Sequence, residues 1–113
     1  MATTLLPNVP VVILSSLPTG DVKSPGYSLP PVVGGATGHT IAWIASYDSA
    51  PSAISLQIQG SFDDVDADYV VLDTSTNTAG EAKTILNVAY PWIRARQVSK
   101  TGAVTTTIRL VIQ

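Results

Sequence analysis

Alternation of apolar and polar side chains, the period of an extended strand, recurs along most of this 113-residue chain. It is cleanest from Ala53 to Ser61, where Ile54, Leu56 and Ile58 point one way and Ser55, Gln57 and Gln59 the other, as in a strand with one wet face. The last segment repeats it, with Val104, Thr106, Ile108, Leu110 and Ile112 on one face and Thr105, Thr107, Arg109 and Val111 on the other. Between them, Tyr69 to Thr74, Lys83 to Val88 and Trp92 to Val98 read as strands. The last of these follows Pro91, whose missing donor is tolerable at a strand's start. Thr40 to Ser46 (TIAWIAS) holds β-formers without clean alternation and predicts a strand covered on both faces. Polar turns fall at Asp63 to Asp68, at Ser75 to Gly80, where a hairpin is expected, and around Lys100 to Gly102. With no helical periodicity, six or seven strands at this spacing predict an all-β fold, an antiparallel β-sandwich of jelly-roll-like type. No internal repeat points to a solenoid or propeller.

The opening departs from that pattern. The first 38 residues hold six of the eight prolines, five of the eight glycines and two charged side chains, Asp21 and Lys23. Proline removes a backbone donor and glycine weakens an extended ladder, so residues 1–38 are expected to form an extended arm and linker, with residues 39–113 as the sandwich domain. Two readings stand for Val11 to Leu14: an edge strand completing its own sheet, or part of an arm reaching a partner. For residues 1–8 the expectation is a free or partner-bound arm. Proline restricts a chain before it is ordered, so docking such an arm costs less entropy than docking a Gly/Ser chain of equal length.

Composition narrows the partners. Charged residues are 12% of the chain and apolar ones 45%, so the surface is built largely from Thr, Ser, Asn and Gln and suits lasting contact with other chains. A net charge of −2 argues against a sequence-independent grip on nucleic acid, which needs clustered Lys and Arg. The absence of cysteine excludes disulfides and thiolate metal sites. The apolar run Val9 to Leu14 is short, broken by Pro10 and preceded by no basic residues, unlike a signal peptide. No stretch approaches the ~20 apolar residues of a membrane span, and a soluble protein made in the cytoplasm, without a membrane partner, is expected.

The block ISLQIQGSFDDVDADYVVLDTST, followed by EAKTILNVAYPWIRARQVSKTGAVTTTIRLVIQ, resembles a pattern in small β-sandwich proteins of tailed-bacteriophage virions. In it an alternating strand ends in Gly-Ser and an acidic turn. A Tyr-containing strand, an aromatic-Ile-Arg-Ala-Arg strand and a Thr-rich last strand follow. The matching positions are Gly60, Ser61, Asp63, Asp64, Tyr69, Trp92 to Arg96, Gly102 and Ile108 to Ile112. Val65 and Ala67 stand where the pattern often has Gly and an aromatic, which weakens any ligand role for that loop. The resemblance implies a virion structural protein. The small size favours a head decoration or cement protein on the outer capsid surface, with the major capsid protein and further copies of itself, a homotrimer by preference, as partners. Tail or fibre sandwiches share the pattern.

The side chains expected at a partner interface are Leu5, Leu6, Val9, Val11, Val12 and Ile13 of the arm, by apolar burial, and Arg94, Arg96 and Arg109, by fork-shaped pairing with carboxylates. The three arginines are expected on one face of neighbouring strands, against the acidic turn of an adjacent subunit or an acidic capsid surface. Asp64, Asp66 and Asp68 have the i, i+2, i+4 spacing of some Ca²⁺ loops, but Tyr69 and Ser75 occupy positions where an EF-hand needs Gly and an acid. A solvated turn is the expectation, with no metal or cofactor. Trp43 and Trp92 are expected in the core, with a sugar-stacking platform, and hence a carbohydrate-binding module, as the alternative. His39, the single histidine, has no cysteine or nucleophile-elbow serine to work with, and no enzyme is expected. Gly34-Gly35-Ala36-Thr37-Gly38 lacks the Lys and helix of a phosphate loop and reads as a hinge.

Overall fold

The computed structural model describes residues 3–32 and 37–113. Their strands are β1 (Thr3–Thr4), β2 (Val11–Ser16), β3 (Val22–Lys23), β4 (Tyr27–Ser28), β5 (His39–Tyr47), β6 (Ala53–Ser61), β7 (Val70–Ser75), β8 (Glu81–Val88), β9 (Trp92–Thr101) and β10 (Thr106–Ile112). One sheet runs β2-β10-β5-β8. The other runs β1-β4-β9-β6-β7, with β3 also on β9. If β3 and β4 are taken as one strand interrupted at Pro25, the two orders, 2-10-5-8 over 4-9-6-7, are those of interleaved Greek keys. The fold is an all-β jelly-roll sandwich.

The period-2 pattern fixes which side of each strand faces inward. Ile41, Trp43 and Ala45 of β5 meet Ile108, Leu110 and Ile112 of β10 and face Leu56 and Ile58 of β6 and Ile93 and Ala95 of β9, all essentially buried. The Trp43 indole N–H, which would be costly to bury unpaired, donates to Asp73 Oδ2 at 3.0 Å. Lys100, 4% exposed, turns inward where β9 runs into β10. Its ammonium donates to the Ser16 and Val104 carbonyls and the Thr106 hydroxyl, and burial holds its pKa below the ordinary lysine value.

The boundary expected at residue 38 has no counterpart in this packing. β2 pairs antiparallel with β10 from Val11↔Leu110 to Ser16↔Thr106, across a bulge that turns both Ile13 and Leu14 inward. Leu5 is 2% exposed and its N–H donates to Ser28 O. Asn8 N–H donates to Ile112 O. Proline did not prevent this, because each described proline of the opening lies between strands: Pro10 and Pro18 flank β2, Pro25 separates β3 from β4, and Pro30 follows β4. At Pro25 the ladder is carried by the Ser24 side chain, whose Oγ accepts the Ala95 N–H. Met1, Ala2 and the Val33 to Ala36 part of the expected arm and hinge lie outside the described residues.

Two further expectations change. Ser75 to Gly80 joins strands of different sheets rather than a hairpin; β6 and β7 are the consecutive strands that pair with each other. The strand TIAWIAS is covered on one face only. Its outward Ile44 is 43% exposed, because nothing in the described chain lies over the four-stranded sheet there.

Leu5→Ala is expected to lower unfolding free energy by about 2–5 kcal/mol in urea titrations followed by circular dichroism. Truncation of residues 1–16 unpairs β10 and should abolish the cooperative transition, whereas a detachable arm would leave it intact.

Candidate functional site

The most elaborate polar arrangement is built where the acidic turn folds back over the outer face of the six-stranded sheet. Residues 66–68 form one turn of 3-10 helix at the β6–β7 connection, which brings Asp66 over β9. Arg94, on the outward side of β9 yet only 7% exposed, donates from Nε to Gln59 Oε1 (2.7 Å) and from Nη1 to Asp66 Oδ1 (2.7 Å). Its guanidinium lies 4.0 Å from the centroid of the Tyr69 ring, in a cation–π stack. The Tyr69 hydroxyl donates to Asp64 Oδ1 at 2.7 Å, and Lys23 of β3 reaches Asp66 at 3.2 Å. The turn is thereby tied to both β9 and β3.

A cleft of about 390 Å³ is lined by Ser24, Pro25, Gly26, Asp64, Asp66, Tyr69 and Arg94. The Asp64 carboxylate and Tyr69 hydroxyl close over Gly26, and a side chain at this position would have to push them aside. Hydrogen bonds from Arg94 and then Lys23 hold the Asp66 carboxyl below the usual range. Burial, reinforced by the bond to Asp64, pushes the Tyr69 phenol well above its ordinary value. A hydrogen bond with Asp63 raises Asp68, a sign of two carboxylates crowded together. Among the described residues no group of three metal-ligating side chains is assembled, here or elsewhere.

The structure separates the residues expected at a partner surface. Arg94 is committed to the acidic turn of its own chain. Arg96 makes a two-pronged pair with Asp21, Nε to Oδ1 at 2.9 Å and Nη2 to Oδ2 at 2.8 Å. Arg109 lies on the other sheet, exposed and without an ion pair among the described residues, so the three do not share a face. Leu5 and Ile13 are core, and Val11 packs against it. Leu6, Val9 and Val12 are open to solvent. Trp43 is core as expected, whereas Trp92 is half-buried on the outer face of its sheet, because Ile93 and not Trp92 takes the inward position. His39 opens β5, nearly buried, with its ring nitrogens 3.0 Å from Gln113 O and 2.6 Å from Pro30 O. A neutral ring donates to one of these carbonyls, according to its tautomer.

The outer face of the four-stranded sheet is a second surface of note. Cross-strand register aligns Val12, Arg109, Ile44 and Ala82 in one row and Val111, Ala42 and Thr84 in the next, with Leu86 beyond. Val12 and Leu86 are 48% and 67% exposed, and a groove of about 290 Å³ runs through the two rows. Single exposed apolar residues are ordinary, whereas here several adjoin one cation on one face. Sequence reading passed over Gln59, Gly26 and the Tyr69–Arg94 stack. A Pro-Gly pair signals only a turn, and nothing local links Arg94 to Asp66 across 28 positions.

No protein-family model matches the sequence, and no curated protein matches it. Among solved structures, the crystal structure of the SPBc2 prophage-derived protein YomS has the same fold, with a TM-score of 0.53 at 11% identity. The correspondence covers 96% of this chain and 99% of YomS. It extends beyond the sandwich strands to nearly the whole molecule.

Because Tyr69 is raised, the folded state holds its phenolic proton where the unfolded chain has lost it. Stability from this group is therefore complete below pH ~10 and falls as pH rises beyond it. Ultraviolet titration should show one tyrosine ionising well after the others, and Asp64→Asn should move it back toward them. Arg94→Met leaves Oε1 of buried Gln59 without its donor, Nε2 still bonded to Gln57, and is expected to cost about 1–3 kcal/mol in urea unfolding. It should also reduce, with Lys23 still in place, the acid-side stability from Asp66, which is present above pH ~4 and lost as the pH falls through the depressed carboxyl value.

Proposed function

We propose that this chain is a structural protein of a tailed-phage virion, a head decoration protein that binds the outer capsid surface and ties neighbouring major capsid protein subunits together. The observation that carries the reading is the fold shared over nearly its whole length with a prophage-derived protein. It is supported by the sequence block resembling virion sandwiches and by an apolar sheet face left open in the single chain. Added buried surface between capsomers would oppose the outward pressure of packaged DNA, and no catalysis is involved: His39 is committed to two carbonyl oxygens. The capsid and further copies of the chain are the partners, with no role for nucleic acid or membrane. The protein is made in the host cytoplasm and resides on the capsid exterior.

Jelly rolls serve many unrelated tasks, so the function must be tested at the particle. Quantitative mass spectrometry of purified virions should find the chain in constant proportion to the major capsid protein. A small fixed number per particle would assign it to a tail or fibre instead, and none would remove it from the virion. The half-exposed position of Trp92 favours one other reading, a carbohydrate-binding module. In that case Trp92→Ala abolishes retention on a glycan column while leaving the fold intact; on the decoration reading there is no retention to lose.

A further inference from the structure

We infer that the outer face of the four-stranded sheet is a self-association surface, taking the acidic turn of a second copy of this chain, with Arg109 as its charged anchor. This rests on the virion reading only in making the chain an assembling protein; the surfaces themselves are read from the single chain. Every charged side chain is among the described residues. Lys23, Arg94, Arg96 and Lys83 are each paired with a carboxylate, and Lys100 is buried on carbonyl and hydroxyl acceptors. Among the described residues Arg109 alone remains, flanked by Val12 and Ile44 with Val111 in the next row.

The complementary surface is on the same molecule. Among the described residues Asp63, Asp64 and Asp68 have no cationic partner, and a hydrogen bond with Asp63 raises Asp68, a sign of two crowded carboxylates. A cation brought between them relieves that crowding. Around them Phe62, Val65 and Val71 are 78%, 50% and 50% exposed, an apolar rim suited to the apolar floor around Arg109. The turn lies over the outside of the six-stranded sheet and Arg109 on the outside of the four-stranded one. The contact therefore joins unlike surfaces head to tail, and closes into a ring if the rotation between copies allows. A partner with one carboxylate amid apolar side chains fits this face, and a second copy supplies it.

Sedimentation at concentrations up to about 0.5 mM tests this. Wild type should self-associate, more weakly as salt is raised. Arg109→Glu alone, and Asp63→Arg with Asp68→Arg in one chain, should each weaken association by about tenfold or more, with circular dichroism unchanged. An equimolar mixture of the two variants should associate again, because each contact then has opposite charges. A monomeric wild type, variants that associate like wild type, or a mixture that stays monomeric overturns the inference. The two readings fail separately. Charge-reversible association with no copies in virions sinks the decoration role and leaves this contact standing. Virions that carry Arg109→Glu at full copy number, with wild type monomeric in solution, do the reverse.

Discussion

The antiparallel pairing of Val11–Ser16 with Thr106–Ile112 is the constraint on which the rest of the molecule depends. It joins the second strand to the last, and it places Ile13 and Leu14 against the inward row of β10. It also gives the Lys100 ammonium its Ser16 carbonyl. Without it the four-stranded sheet would lose an edge and the core would open along Ile108 and Leu110. The prolines that seemed to exclude the opening from a sheet define instead where its strands stop.

Polar order on the opposite side has the same economy. Arg94 is nearly buried on an outward face because the acidic turn covers it, and the turn is held there because Arg94 and Lys23 neutralise Asp66. Buried charge is costly unless paired and hydrogen-bonded, and here Gln59, Asp66 and the Tyr69 ring together meet that need. The remaining acids of the turn are left to solvent.

Much of this was legible in the residues. The alternation in Ile54–Ile58 and Ile108–Ile112 fixed inward and outward faces that the structure keeps, and sandwich architecture followed from strand spacing. Pairings between distant segments were not legible. Partners 90 or more positions apart leave no local trace, which is why Val11–Leu14 stayed open between an edge strand, as it proves to be, and an arm. The true partners of β7 and β8, on β6 and β5, likewise lie outside the local window that suggested a hairpin at Ser75–Gly80. The three arginines look equivalent in sequence, yet the topology sends Arg94 and Arg96 to one sheet and Arg109 to the other. TIAWIAS was read as covered on both sides because Ile44 is as apolar as its inward neighbours. The finding that one side is open turns that residue from a core position into a surface one.

The order of strands bears on biosynthesis. In a nascent chain β6 and β7 can pair first and β5 and β8 once β8 has emerged, whereas the centre of the six-stranded sheet waits for β9. Closure waits for β10, so β2 finds its mate only when a segment 90 or more positions downstream has been made. Until β10 is made, one edge of β5 and the pairing edge of β2 stay bare, and such strands are sticky toward neighbouring chains.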